Sequence, residues 1–500
     1  MKMDWEGERH RAPLDFARVL GDWREGEGPA YQRLAEALEA SIGRGEVAPG
    51  ERLPAERALA KLLSVSRTTV VAAYERLRQE QRIESRQGSG TRVRSDGVPP
   101  VAGARLPADR VGSFRRHPVY RGLVEGPSGT IEFLGAHLSG AEVLVPELVK
   151  IDRRALTELA RTPGYLPMGL PELRRKIAAH LDRWGLPTSE EQVLVTSGAQ
   201  QAVALAGSLF ARRGDAVIIE NPTYLGAIDI FTNLGARLVP VAVGREGVRV
   251  ETLRELAHRA APRLIYLMPT FQNPTGALMP ERQRKAVARL GRELQVPILE
   301  DNTLADLWIE TPPPPPLAAF EPQAVILTIG SLSKLFWGGL RVGWIRASEE
   351  ILSRIAKLKI MADLGGSLLS QLAAVRLLGR AEHFRQMRRR EVRERLECLT
   401  KLIARHLPDW RWTSPAGGLS LWVRLPRGNA EDFAQVALRH GVSIVPGPLT
   451  SPDGSFSDHL RLPFVLGKEE MREGIERLAR AWDVYAAKAG RERASLDVLV

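Results

Sequence analysis

From about residue 130 onward, short apolar runs alternate along the chain with stretches of helical spacing. Six such runs are apparent, at 192–196, 216–219, 237–241, 264–268, 296–299 and 325–329. Strands that alternate with helices predict an α/β domain built on a mostly parallel, wound sheet. From about residue 414 the rhythm changes, and 419–423 and 459–462 alternate as antiparallel strands do. We therefore expect a smaller C-terminal α+β subdomain, included in about 380–490.

The length of the chain, 500 residues, exceeds what one hydrophobic core usually serves, so two or more domains are expected. The single cysteine, Cys398, excludes an internal disulfide and a cysteine-based metal site, and no metal centre is predicted. We see neither a signal-peptide pattern nor an apolar run long enough to cross a membrane, and we expect a cytoplasmic protein. The net charge of +12 is compatible with nucleic acid as a partner.

The N-terminal part has a different pattern. Helical spacing is found at 31–44, 55–63 and 66–79, with Ser66 as the expected N-cap of the third helix. Two short runs, 82–86 and 91–94, flank the glycine-bearing tip 87–90. Three helices followed by a hairpin predict a winged helix-turn-helix domain over 29–94. The remaining boundaries follow: a polar lead-in at 1–28, a Pro-, Gly- and Arg-rich linker at 95–129, and the second domain at 130–490.

The turn 49–57 and the segment Val65-Ser66-Arg67-Thr68-Thr69-Val70 resemble the GntR family of bacterial repressors, over about 31–94. At the first turn of the third helix, Arg67, Thr68 and Thr69 can enter the major groove of DNA. We expect Arg57 to touch the phosphate backbone, and the wing residues to approach the minor groove: Gln87, Gly88 and Arg92. Nine basic and three acidic residues between 57 and 94 favour DNA, although a protein-binding winged helix with solvated arginines is the alternative.

Polar clusters follow five of the apolar runs in the second domain. They are 196–201, 221–224, 272–276, 300–301 and 330–334, the last ending in Gly330-Ser331-Leu332-Ser333-Lys334 with Arg341 downstream. Each alone is more often a structural turn or helix cap than part of a site, but in a wound sheet ligands bind beyond the carboxyl ends of strands. A lysine flanked by hydroxyls and an arginine suits a Schiff base with an aldehyde cofactor that carries a phosphate.

These five clusters, taken in order, resemble the fold type I, aspartate-aminotransferase-like family of pyridoxal 5'-phosphate (PLP) enzymes, over about 130–487. The resemblance implies that Lys334 forms the Schiff base, Asp301 pairs with the pyridinium nitrogen, Asn273 bonds the ring 3'-oxygen and Tyr224 stacks on the ring. The residues implied around the phosphate are Ser197, Gly198, Ala199, Ser331, Ser333 and Arg341. Tyr165 would reach the phosphate of a partner subunit, and Arg461 would clamp the carboxylate of an effector.

One departure from that family concerns the residues after Asp301. Family members usually carry a tyrosine two or three positions later, which bonds the 3'-oxygen, whereas this chain has Thr303 and Leu304. The departure counts against efficient transamination more than against cofactor binding.

A GntR-type head joined to an aminotransferase-like body resembles the MocR subfamily of regulators. The resemblance implies a homodimer on a double-stranded DNA operator, with PLP or an amine or amino-acid effector sensed at Lys334. It also implies control of genes of vitamin B6 or amino-compound metabolism. Two alternatives stay open: a working PLP-dependent aminotransferase with an appended head, and a scaffold that no longer binds PLP.

Overall fold

A computed structural model describes residues 20, 23, 28–43, 47, 50–63, 65–86, 90–94, 129–140, 145, 147 and 153–497, with the side chains of the last helix described to 487. The expected lead-in and most of the expected linker lie outside these residues, as do Gln87 and Gly88. Within the described residues, no helix is long and apolar enough to span a membrane.

The N-terminal domain contains three helices and a hairpin: α1 (Ala30–Gly43), α2 (Glu56–Leu63), α3 (Arg67–Gln79), β1 (Ile83–Arg86) and β2 (Gly90–Val93). The strands pair antiparallel, with Ile83 opposite Val93. Helix α3 begins where the sequence predicts, because the Ser66 hydroxyl accepts a 3.1 Å hydrogen bond from the Thr69 amide. The apolar faces of the helices close a small core that includes Leu38, Leu59 and Leu77.

The second domain is built on an eight-stranded sheet. Its strands are β4 (Val193–Thr196), β5 (Ala216–Asn221), β6 (Arg237–Gly244), β7 (Gly247–Val248), β8 (Leu264–Leu267), β9 (Ile298–Asp301), β10 (Ile326–Ser331) and β11 (Gly343–Arg346). They lie in the order β4-β11-β10-β9-β8-β5-β6-β7. Neighbours pair in parallel except at β7 and β11, where pairing is antiparallel. The six predicted runs are all strands, and β11 is a strand that the sequence pattern did not reveal.

Both faces of this sheet are buried, which explains why its strands are continuous apolar runs rather than alternating ones. Successive side chains of a strand point to opposite faces. In β8, Tyr266 accordingly packs into one core cluster, whereas Ile265 and Leu267 pack into the other. Leu299 of β9 lies on the same face as Tyr266. Asp301, two residues further along β9, therefore shares that face.

Helices cover the sheet. They are α4 (Arg153–Ala160), α5 (Pro171–Asp182), α6 (Ala199–Phe210), α7 (Leu225–Asn233), α8 (Val250–Ala260), α9 (Glu281–Leu294), α10 (Glu349–Asp363), α11 (Leu368–Gly379) and the long α12 (Ala381–His406). Helix α6 follows β4 directly, and its N-terminus therefore lies at the carboxyl end of the sheet, where backbone amides and the helix dipole favour an anion.

A second sheet, of five strands, forms the smaller subdomain. Its strands are β3 (Ile131–Phe133), β12 (Arg411–Trp412), β13 (Ser420–Arg424), β14 (Val442–Pro446) and β15 (His459–Pro463), with helices α13 (Ala430–Arg439) and α14 (Lys468–Asp497). The strands lie in the order β12-β13-β15-β14-β3. Strand β3 comes from the start of the second domain and pairs in parallel with β14. The smaller subdomain is thus completed by residues far outside 380–490.

Candidate functional site

The carboxyl ends of β4, β5, β8, β9 and β10 surround a cavity of about 460 Å³. Nine residues singled out in the sequence line it: Ala199, Tyr224, Asn273, Asp301, Ser331, Ser333, Lys334, Arg341 and Arg461. These residues lie far apart in the sequence, from Ala199 after β4 to Arg461 in the second, smaller sheet. The topology brings them together, as expected for a ligand site in a wound α/β domain.

Lys334 lies at the centre of the site. Its Nζ donates a 2.7 Å hydrogen bond to the carbonyl oxygen of Ala136. Burial lowers the pKa of this amine to about 8, and the cations of Arg461 and Arg341 act in the same direction, whereas Asp301 opposes them. Because only the neutral amine attacks a carbonyl, this environment makes Lys334 a better nucleophile near neutral pH than an exposed lysine.

Asp301 ends strand β9 and is buried. The Tyr266 hydroxyl donates to its Oδ2 at 2.8 Å, and the Thr303 amide donates to its Oδ1 at 2.9 Å. Burial raises the pKa of Asp301, while these hydrogen bonds and the Lys334 cation lower it. Tyr266 thus supports the Asp301 carboxylate with a hydroxyl from the neighbouring strand β8.

Tyr224 and the loop that carries Asn273 form one wall. The Tyr224 hydroxyl donates to Oε1 of Gln200 at 2.7 Å. Behind the loop, the buried Glu220 accepts hydrogen bonds from the Met268 amide and the Gln272 side chain, at 3.0 and 3.3 Å. Burial raises the pKa of Glu220 to about 8. Glu220 therefore fixes the backbone that leads to Asn273.

The opposite end of the cavity is rich in donors. Gly198 caps α6 at φ +124°, and a Cβ placed there would lie 3.2 Å from Nη2 of Arg341. Arg341 itself has φ +54°, in the left-handed region. Ser197 and Gly198 do not line the cavity but lead into α6, and the Ser197 amide donates to Gln201 at 2.9 Å. The Gln201 side chain in turn donates to Asp363 at 2.7 Å.

Arg461 approaches the cavity from β15 of the smaller sheet and is buried. Its Nη2 donates to the carbonyl oxygen of Leu134, while its Nε, also buried, has no partner among the described residues. Burial lowers the pKa of the guanidinium to about 10. A buried guanidinium with unused donor capacity is suited to an incoming carboxylate.

Tyr165, like Ser197 and Gly198, is a predicted cofactor residue that does not line the cavity. Its side chain is 65% exposed, on the loop that leads into α5. The structure therefore does not bring Tyr165 to the cavity of its own chain.

The residues present fit PLP on structural grounds. Two of their buried polar atoms, Asn273 Oδ1 and Ser333 Oγ, have no hydrogen-bond partner among the described residues. Buried polar atoms are normally paired, so these two indicate a ligand. The groups that line the cavity match those of PLP in type. The Tyr224 ring suits the cofactor ring and the Asp301 carboxylate suits its pyridine nitrogen. The Lys334 amine suits the aldehyde, and the donors near Arg341 suit the phosphate.

In the N-terminal domain, the predicted DNA-reading side chains lie at the surface. Arg57 and Thr68 are exposed, as is Arg67, whose Nη2 forms a 3.0 Å ion pair with Glu56. Thr69 is half-buried, and its hydroxyl lies 2.8 Å from that of Ser66.

On the hairpin, Arg92 is half-buried and its Nη1 donates to the carbonyl of Gly50 at 3.2 Å. The Arg52 side chain packs against Gly90, so closely that a Cβ added at Gly90 would lie 2.7 Å from Arg52 Nε.

No role was predicted from the sequence for Tyr266, Glu220, Gln200 or Arg52. Tyr266 and Glu220 lie inside or at the end of strands, and the local pattern indicates only burial there. For these two residues a signal was available, since a tyrosine or glutamate within an otherwise apolar run needs a hydrogen-bond partner once buried.

The comparisons with known proteins agree with this geometry. Residues 137–478 match the family model for aminotransferase class I and II, and residues 30–93 match that for bacterial regulatory proteins of the gntR family. The solved structure of LysN, the alpha-aminoadipate aminotransferase of Thermus thermophilus complexed with N-(5'-phosphopyridoxyl)-L-leucine, is 32% identical. It superposes with a TM-score of 0.69 and covers 75% of this chain and 97% of its own.

Relatives that match along most of this chain include transcription regulators. The HTH-type transcriptional regulator YisV of Bacillus subtilis is 31% identical and covers 89% of this chain and 95% of its own. The probable rhizopine catabolism regulatory protein MocR of Rhizobium meliloti is 28% identical, and the match covers 92% of this chain and 95% of its own. Fold and site thus define a transcription regulator with a PLP-dependent, aminotransferase-like domain. The chain belongs to the MocR type of GntR-family regulators, which confirms the predicted fold class, cofactor and DNA-binding module.

Proposed function

We propose that this protein is a homodimeric regulator in which occupancy of the PLP site by an amine or amino-acid effector changes the affinity of the GntR head for its operator. The observation that carries the proposal is that Lys334, Asp301 and Arg461 line one cavity in a chain that also has a DNA-binding head. When bound, PLP supplies an aldehyde that condenses reversibly with primary amines.

The roles of the side chains follow from their chemistry. Lys334 offers the amine that holds the cofactor, with a pKa lowered to about 8. Asp301, fixed by Tyr266 and Thr303, provides the carboxylate for the pyridine nitrogen. Arg461 offers its free Nε to an effector carboxylate.

The other cofactor roles also follow from side-chain type. Asn273 serves the ring oxygen and Tyr224 the ring face. The residues that we propose to surround the phosphate are Ser197, Gly198, Ala199, Ser331, Ser333 and Arg341.

Exposed apolar residues near Tyr165 support the homodimer. Met361, Leu364 and Leu369 are 78%, 48% and 57% exposed. They flank Gly365, whose backbone packs against Leu166, the neighbour of Tyr165. A patch of this kind is typical of an interface. We propose that it contacts a second copy of the chain and that Tyr165 serves the partner's phosphate site. Sedimentation at several concentrations should then show a dimer.

The DNA half of the proposal assigns Arg67, Thr68 and Thr69 to the major groove, Arg57 to the backbone, and the wing with Arg92 to the minor groove. A regulator that binds chromosomal DNA acts in the cytoplasm, and its target genes would belong to vitamin B6 or amino-compound metabolism. Direct or inverted half-sites are both compatible with a dimer.

The test is DNA affinity measured with and without cofactor and effector. Operator DNA from the region upstream of the gene should bind with an affinity that changes about tenfold when PLP and a panel of amino acids are added, a typical coupling between two sites. Lys334→Ala should abolish the change. The matched control is Lys357→Ala, an exposed lysine on α10. An affinity that no amino acid alters in the parent protein would refute the proposal.

A working aminotransferase is the second candidate, favoured by the Tyr266 hydroxyl on Asp301 and the lowered pKa of Lys334. Keto-acid formation over many turnovers separates the two. Sustained turnover supports the enzyme, whereas at most one keto acid per site supports the regulator.

A further inference from the structure

The charged groups of the cavity are not all accounted for by the proposed function. Lys334, Arg341, Asp301 and Arg461 have roles toward the cofactor or an effector carboxylate. One further carboxylate lines the same cavity, that of Glu132. Nothing in the proposed function uses it.

Strand β3 determines where Glu132 lies. Ile131 and Phe133 on either side are buried in the hydrophobic core. Because side chains alternate along a strand, Glu132 faces the other way, onto the cavity. The carbonyl of Leu134, two residues later, accepts the hydrogen bond from Arg461. Two residues of extended chain span at most about 7 Å, so Glu132 lies within reach of a ligand held by Arg461.

In the part of the chain that the structure describes, no lysine or arginine forms an ion pair with the Glu132 carboxylate. The titratable group that interacts with it there is His137. The pKa of His137 is lowered, first by burial and then by the Lys334 cation, against a smaller opposing effect of Glu132. This shift favours the neutral imidazole, so His137 offers the Glu132 carboxylate no strong counter-charge.

We propose that Glu132 selects effectors that carry a second, distal cationic group, namely diamino monocarboxylic acids of the lysine and ornithine type. This inference rests on the proposed function, since the effector's α-amine is assigned to the cofactor and its carboxylate to Arg461. Apolar side chains that line the cavity, Phe271, Leu304 and Leu419, suit the methylene stem of such a molecule. Recognition of one ligand by an arginine at one end and a glutamate at the other also excludes dicarboxylic amino acids.

The experiment compares three probes on the PLP-loaded full-length protein: L-lysine, L-norleucine, which has the same four-carbon stem without the distal amine, and L-2-aminoadipate, which ends in a carboxylate. Titration of the cofactor absorbance gives the affinity for each probe, and fluorescence anisotropy with operator DNA gives its effect on DNA binding. In the parent protein we expect L-lysine to bind about tenfold or more tightly than L-norleucine, and L-2-aminoadipate to bind more weakly than either.

Two variants measure how much Glu132 contributes to the preference for L-lysine. Glu132→Gln should remove the preference for L-lysine while leaving the affinity for L-norleucine within about twofold. Glu255→Gln, an exposed glutamate on α8, should behave like the parent. A preference for L-lysine that persists in Glu132→Gln would overturn the assignment. Equal binding of L-lysine and L-norleucine by the parent protein would also overturn it, yet would leave the regulator proposal intact. Amino acids that bind without any change in DNA affinity would refute the regulator proposal instead.

Discussion

The Tyr266 hydroxyl donates a 2.8 Å hydrogen bond to Oδ2 of Asp301, from the strand next to the one that Asp301 ends. Tyr266 is fully buried, and its ring packs edge-on against Phe231 with centroids 5.9 Å apart. The ring is therefore fixed, and its hydroxyl supports one oxygen of the Asp301 carboxylate while the Thr303 amide supports the other. This role differs from that of the tyrosine absent at positions 303 and 304, which in the family bonds the ring 3'-oxygen of the cofactor.

Tyr266→Phe should weaken PLP binding about tenfold, because a hydrogen bond to a buried charged group typically contributes about 1.5–3 kcal/mol. The hydrogen bond lowers the pKa of Asp301, so its loss raises that pKa further and disfavours the ionised carboxylate. Spectroscopic titration with PLP gives the affinity. Tyr74→Phe, which removes a hydroxyl bonded to Pro54 in the head, is the control and should leave PLP affinity unchanged. Unchanged affinity in Tyr266→Phe would show that Asp301 does not depend on Tyr266.

The rate at which cofactor-free protein captures PLP should rise with pH and level off above a midpoint near pH 8. Lys334 is a base whose pKa lies below the ordinary 10.5, so its neutral, nucleophilic form appears at lower pH than in an exposed lysine. Arg461→Met removes a cation that lowers this pKa and should move the midpoint upward. Stopped-flow absorbance across pH 6–10 measures both, and a midpoint near that of free lysine would contradict the assignment.

Arg67→Ala should weaken operator binding by about 1–3 kcal/mol if the side chain reads a base. The guanidinium is exposed and held at the start of α3 by its ion pair with Glu56. Fluorescence anisotropy at several salt concentrations measures the effect. Arg154→Ala, an exposed arginine on α4, is the control and should have no effect. If Arg67→Ala weakens binding to random DNA equally, the residue contacts phosphate rather than a base.

Asp363→Asn should destabilise the second domain by about 3 kcal/mol. Lys359 Nζ is fully buried and lies 2.6 Å from Asp363, so the substitution leaves a buried ammonium without its counter-ion. Burial raises the pKa of Asp363, but hydrogen bonds from Gln201 and Lys359 outweigh it and hold this pKa below its ordinary value. The stability is therefore present above about pH 4 and is lost as the pH falls through the folded-state pKa. Urea unfolding measures it.

The matched control for Asp363 lies on the same helix. Glu350→Gln breaks an exposed pair with Arg354, 2.7 Å long, and should cost less than about 1 kcal/mol. Equal losses in the two variants would mean that burial of Lys359 is not what makes the Asp363 pair important.

Much of the fold could be predicted from local sequence. The six apolar runs predict six strands, and Ser66 predicts the start of α3, because strand burial and helix capping depend on a few neighbouring residues. Strand β11 was not predicted. It lies between β4 and β10 and pairs antiparallel with both, an arrangement that depends on the whole sheet.

For the site, the polar clusters that follow the apolar runs, together with their resemblance to a PLP family, were enough to name Lys334, Asp301 and Asn273. What supports these side chains, and what else faces the cavity, became clear from the packing of the strands. Tyr266 reaches Asp301 through strand pairing, and Glu132 enters through β3, which joins a sheet whose other strands lie beyond residue 410. Such contacts depend on long-range closure of the chain. The local pattern around a residue indicates at most that a buried tyrosine needs a partner, and it does not indicate which residue the partner is.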